Sequence, residues 1–245
     1  MRKLIAIAIC LMALSIRAQE NGEEEFGAWY MYFGTNKIAE RFSIHTEAQL
    51  RFYETTSNYN QLLLRTGLNY HINKNAIATV GYGFINTDPD FEDPIVIFDT
   101  FVDVSPSSTI EFDNRVDEHR IFEQFILKNK VWEFLFEHRY RLEQRFITVG
   151  DRGDFDFDTR TEHRARYRIQ VSLPLTDTFF LNFYDELFIN LQDNLFGQNR
   201  LYGALGIHLT PNSSVQIGYL RNQFSTAVFD RLQIGVFLNT NLIKK

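Results

Sequence analysis

FSIHTEAQLRFY, residues 42–53, alternates strictly between two kinds of side chain. Phe42, Ile44, Thr46, Ala48, Leu50 and Phe52 fall on one parity, and Ser43, His45, Glu47, Gln49, Arg51 and Tyr53 on the other. A period of two places the sets on opposite faces of a β-strand. Twelve alternating residues also exceed a typical globular strand of about 5 or 6 and suit a tilted membrane-crossing strand of about 9 to 11. The reading is therefore all-β: one antiparallel transmembrane β-barrel with an apolar outer face and a polar interior.

The pattern recurs along the chain. Phe134, Phe136, His138, Tyr140, Leu142 and Phe146 alternate with Glu133, Glu137, Arg139, Arg141, Glu143 and Arg145. Ala165, Tyr167, Ile169, Val171 and Leu173 alternate with Glu162, Arg164, Arg166, Arg168 and Gln170. Weaker alternation occupies residues 26–34, 60–72, 75–86, 115–128, 178–190, 198–209, 213–223 and 229–240, and no segment has helical periodicity. Short turns at HINKN after residue 70, KNK at 128–130, PLTD at 174–177 and TPNSS at 210–214 alternate with longer connections at 86–115, 149–158, 190–198 and 222–228. Outer-membrane barrels have this asymmetry of short periplasmic turns and long external loops. The expected size is about 10 to 12 strands. The segments above make eleven, whereas chain ends on one side of the membrane require an even number, so either segment 26–34 is not a strand or the longest loop hides a hairpin. The chain closes NTNLIKK, several residues after Phe237, which leaves the end of the last strand open.

Residues 1–18 read as a secretory signal peptide, with Arg2 and Lys3 before an apolar run and Ala18 at the expected cleavage point, leaving 19–245 as the barrel domain. The run is too short for a spanning helix, which needs about 20 apolar residues. Cys10, the single cysteine, lies within it, so the remainder has no disulfide or thiol chemistry. Removing three of the 25 basic residues with the signal leaves the 31 acids in excess by nine. Such an acidic balance argues against nucleic acid as a partner. The expected address is the outer membrane, with membrane lipid and lipopolysaccharide as surroundings; nothing sets the oligomeric state.

The candidate functional residues are charged and of interior parity: Glu118, Arg120, Glu137, Arg139, Arg141, Glu143, Arg145, Glu162, Arg164, Arg166, Arg168, Glu186 and Arg200. A two-residue turn at Lys128 and Asn129 would set Glu118 opposite Arg139 and Arg120 opposite Glu137, with His119 beside His138 outside. Arginine outnumbers glutamate in this set, a surplus suited to an anionic solute such as a phosphate, carboxylate or acidic sugar. The structural reading is that paired charges satisfy one another and hold strand register. The stretch from Asn86 to Asp117 has the opposite bias, with Arg115 its one cation, and PIVIF at 94–98 could fold into the mouth as a plug or stay in solvent.

EHRIFEQ at 118, EHRYRLEQR at 137, RARYRIQVSLPL at 164 and GQNRLYGALG at 197 resemble the uncharacterised outer-membrane barrel family catalogued as domain of unknown function 2490. The resemblance covers nearly the whole chain after the signal and implies a secreted, membrane-embedded barrel. It implies no reaction, ligand or cofactor.

Enzymatic motifs are sparse. No G-x-S-x-G elbow, zinc-spaced histidine pair or phosphate-cradling loop occurs, so no catalytic residue, metal ligand or cofactor is assigned. His119, His138 and His163 share the outer parity and could serve a lipid-directed base; Ser43 and His45 share the inner one. Asp154, Asp156 and Asp158 alternate and could meet a hard cation only if extended. The expected function is a barrel of structural or transport character with a narrow or gated lumen, for a small anionic or amphipathic solute. The alternatives are a lipid-modifying barrel enzyme and a soluble periplasmic β protein.

Overall fold

The computed structural model describes residues 25–88, 114–151, 158–192 and 194–243. The segment read as a signal peptide, the PIVIF stretch, Asp154 and Asp156 lie outside the described residues.

The chain forms eleven strands: β1 (Gly27–Lys37), β2 (Phe42–Phe52), β3 (Tyr59–Asn73), β4 (Ala76–Thr87), β5 (Asn114–Val131), β6 (Phe134–Asp151), β7 (Asp158–Pro174), β8 (Phe179–Asn190), β9 (Phe196–Thr210), β10 (Ser213–Gln223) and β11 (Val228–Asn241). Each pairs with its sequence neighbours and the ring closes between β1 and β11. The all-β barrel expected from period-two patterning is thus the fold, within the expected number of strands.

The expectation of an even count is corrected. The segment at 26–34 is a strand, paired to β2 on one side and β11 on the other. β4 pairs directly with β5 from Ala76↔Leu127 to Thr87↔Val116, which leaves no place in the ring for a hairpin between them. Ten antiparallel steps leave β1 and β11 pointing the same way, so the seam is parallel, from Gly27↔Arg231 to Lys37↔Asn241. β1 consequently starts at the end that carries the long connections, and β11 ends among the short turns. β11 runs beyond Phe237 to Asn241, and Phe237 stacks on Phe33 across the seam at 4.9 Å between ring centroids.

The expected β5/β6 register is also corrected. The hairpin turns at Trp132 and Glu133, between the pair Val131↔Phe134, and not at Lys128 and Asn129. Glu118 therefore lies opposite Ile147, Arg120 opposite Arg145, and His119 opposite Phe146. Trp132 takes the left-handed φ of 55° that the tight turn requires. Carrying the ladder on through Lys128, Asn129, Lys130 and Val131 pairs backbone groups that an earlier turn would expose. The displacement from the expected register is even, so every side chain keeps its face.

The faces invert those of a water-soluble protein. Leu64, Leu68, Val80, Ile121, Phe125, Leu142, Phe183, Leu205, Ile217 and Val236 are exposed on the outside, Val80 by 54%. Glu47, Glu118, Arg141, Glu143, Arg166 and Glu186 are buried inside, with Glu143 only 1% exposed. Water-soluble chains almost never bury unpaired charge, so this interior must satisfy its charges internally. A small apolar core stands beside it, where Trp29, Tyr202, Ala204 and Leu220 meet. Gly218 permits that packing: a Cβ there would come within 2.6 Å of the Tyr202 ring and 2.7 Å of the Ala204 Cβ.

Candidate functional site

The site is built by alternation. Arg164, Arg166 and Arg168 project inward from β7, Glu137, Arg139, Arg141, Glu143 and Arg145 from β6, Glu118 and Arg120 from β5, and Glu186 from β8. Four adjacent strands thereby line one wall with charge, and the pairing of opposite signs runs mainly on diagonals, because the direct neighbours include Arg139↔Arg168 and Arg141↔Arg166.

Glu143 is the most heavily used acceptor. Its Oε2 receives Arg164 Nη2 at 2.6 Å and Nε at 3.0 Å, and its Oε1 receives Arg166 Nη1 at 2.7 Å. Arg141 approaches the same carboxylate at 3.6 Å. Arg166 also donates Nε to Glu186 Oε1 at 3.0 Å, and Arg139 Nη2 reaches that oxygen at 2.6 Å. Glu118 takes a two-pronged contact from Arg145, at 2.6 and 2.9 Å, and a second from Arg120. Arg145 continues to Glu162 at 2.5 Å, and Arg168 Nη2 donates to Glu137 at 2.6 Å. The expected pairs Glu118/Arg139 and Arg120/Glu137 do not form: Glu118 is held by Arg120 and Arg145, Arg139 by Glu186, and Glu137 by Arg168 and Lys128.

Two aromatic rings fill space between the guanidiniums. Phe188 lies under Arg166 at 4.2 Å and Arg164 at 5.2 Å, and Phe122 under Arg141 at 4.8 Å. Guanidiniums stack favourably on ring faces. Even so, Arg139 Nε, Arg141 Nη1 and Arg168 Nε are buried without a hydrogen-bond acceptor among the described residues. Donors exceed acceptors here, as the residue count implied.

Twelve of the thirteen nominated residues belong to this wall. Arg200 borders it on β9, directly opposite Glu186 but not ion-paired with it, donating Nε to Asn222 Oδ1 at 3.4 Å and lying 5.0 Å from the Trp29 ring centroid and 4.7 Å from that of Phe188. Four buried charges among the described residues escaped nomination, Glu47, Arg51, Arg65 and Arg231. Glu47 is clamped by Arg65 Nη1 at 2.7 and 2.8 Å and receives Gln49 at 2.5 Å. Arg51 lies 3.7 Å over Trp29 and donates to Gln49 and Gln61. The signal for Glu47 and Arg51 was present in the parity of FSIHTEAQLRFY; Arg65 sits in a strand whose alternation is weak.

The histidines do not converge. His119 bonds the Tyr82 hydroxyl and packs on Phe84, His138 Nδ1 meets the Tyr167 hydroxyl at 2.8 Å, and His163 lies opposite Gln144. Ser43 does not engage His45, which bonds Glu47 at 3.1 Å. Ser43 Oγ instead lies 2.8 Å from His71 Nε2 and accepts from Asn69 Nδ2 at 3.1 Å. That pair borders a cavity of about 580 Å³ at the short-turn end, which Lys37, Arg41 and Lys74 also line. Among the described residues no cluster of three or more histidine, cysteine or acidic side chains is placed to hold a metal.

An apolar-clad closed barrel with an interior of ion-paired arginine and glutamate is the class these features define. The chain belongs to the family described as protein of unknown function DUF2490, whose pattern matches residues 26–233. It is similar to an uncharacterised protein of Methylorubrum extorquens, 24% identical over 98% of this chain and 96% of the relative. Among solved structures, the translocator domain of the autotransporter NalP from Neisseria meningitidis covers 82% of this chain and 75% of its own, at 9% identity and a TM-score of 0.49.

Proposed function

We propose that this protein is an outer-membrane barrel of structural or gated-transport character, whose lumen is closed to free passage by its charged wall and admits a small anionic or amphipathic solute. The burial of Glu143 carries the reading. A carboxylate 1% exposed and gripped by Arg164 and Arg166 is the mark of a filled interior, since a wide aqueous channel would leave such groups hydrated. Arg166 ties this clamp to Glu186 on the next strand, so opening a path means separating several buried pairs together. The apolar outer face supports residence in a bilayer, and the arginine surplus supports an anionic solute.

Protein extracted from the outer-membrane fraction with detergent and inserted into a planar bilayer tests this. Brief or no conductance is expected from the intact chain. A large, stable open current would overturn the closed-lumen reading. The lipid-modifying alternative loses its basis in the outer histidines, which the fold holds apart.

A further inference from the structure

Two arginines outside the β5–β8 wall are met differently. Arg51 projects inward from the penultimate position of β2, Trp29 from the start of β1 and Arg200 from the first turns of pairing in β9, all beneath the end that carries the long connections. The Arg51 guanidinium covers Trp29 at 3.7 Å, and that of Arg200 approaches the same ring at 5.0 Å. Their hydrogen-bond acceptors are amide oxygens, of Gln49 and Gln61 for Arg51 and of Asn222 for Arg200. Among the described residues neither forms an ion pair, although Arg51 is buried.

Two like charges around one ring are costly to hold out of water when their hydrogen-bond acceptors are neutral and the Glu186 carboxylate opposite Arg200 is already held by Arg139 and Arg166. A carboxylate or phosphate entering between them would supply the missing counter-charge in the forked geometry that guanidiniums match. Arg200 is half-buried, makes one long hydrogen bond through Nε and, among the described residues, makes none through either Nη. Arg51, fixed by two glutamines and by Trp29, is already oriented.

We infer that Arg51 and Arg200, flanking Trp29 beneath the long-connection mouth, form a binding site for the oxyanion of a small solute, a carboxylate or a phosphate. The inference deepens the reading of the barrel as a holder of anionic solutes by naming where the anion sits, and its test is independent of conductance.

Trp29 reports on the site directly. The chain has two tryptophans, and the other, Trp132, is 86% exposed at the opposite end, so Trp132→Phe leaves Trp29 as the sole indole. The folded variant in detergent is titrated with inorganic phosphate and, separately, with citrate, with ionic strength held constant by sodium chloride. A saturable change in Trp29 emission is expected from at least one oxyanion and none from chloride. Arg200→Gln is expected to weaken it about tenfold or more, the loss associated with one charge-assisted contact, and Arg200→Lys to weaken it less. Heat-modifiable migration on a gel verifies folding of each variant, and Arg200, being half-buried, is the substitution least able to disturb it. Equal response to phosphate, citrate and chloride, or an unchanged response in Arg200→Gln, overturns the inference. So does a response only to vesicles containing phosphatidylglycerol, which would assign the site to a lipid headgroup.

Discussion

The wall formed by β5 to β8 and the region around Trp29, reached from β1, β2 and β9, use arginine in two different ways. On the first, most guanidiniums meet a carboxylate, and Glu143 and Glu186 each serve two or more. On the second, Arg51 and Arg200 meet amides and the face of Trp29. The residue is the same and so is its interior location. What differs is the neighbour, and that decides whether the charge is spent on holding the fold or left for a ligand. Buried pairs with both partners present hold geometry, and they are destabilising only when broken. Buried charge without a partner strains the fold until an anion arrives.

Three substitutions test that contrast, each read as the shift in the denaturant midpoint of the heat-modifiable form. The largest effect is expected from Glu143→Ala. Removing the acceptor of Arg164 and Arg166 strands two buried guanidiniums, a loss of about 3–5 kcal/mol; wild-type stability in this variant would break the comparison at its centre. Glu162→Gln touches the outer edge of the same wall, where the side chain is 32% exposed and joins Arg145 and Arg160. Solvent screens this pair, so a loss of about 1 kcal/mol or less is expected, and a larger one would show that the wall acts as one unit. The smallest effect belongs to Arg200→Met, which removes a like charge near Arg51 while keeping its bulk. Stability within about 1 kcal/mol of wild type, or above it, is expected. A loss as large as that of Glu143→Ala would mean that the two regions do not differ.

Much of the architecture was legible in the chain. The strands fall where alternation placed them, and the interior or exterior assignment of Glu118, Arg141, Glu143, Arg166 and Glu186 follows from parity alone. The pairing partners of those residues did not follow. With glutamate and arginine repeated at even spacing on β5, β6 and β7, several registers juxtapose opposite charges. The register with Glu118 opposite Arg139 satisfied the charges on paper as well as the one that forms. Long side chains also reach diagonally, so Arg145 serves Glu118 without lying opposite it. The seam was hidden for a related reason. Nothing in the residues of β1 announces a parallel partner some two hundred positions away, and the assumption of an even count pointed away from it.

Sequence by itself determined the period, the faces, the all-β class and the inversion of apolar outside with charged inside, because these depend on which neighbours along one strand share a parity. Tertiary structure alone decided the β5/β6 register, the parallel closure of β1 on β11 and the placing of Arg200 between Glu186 and Trp29 without an ion pair. Those depend on which strands the ring brings together, and a two-residue repeat is indifferent to any shift by an even number.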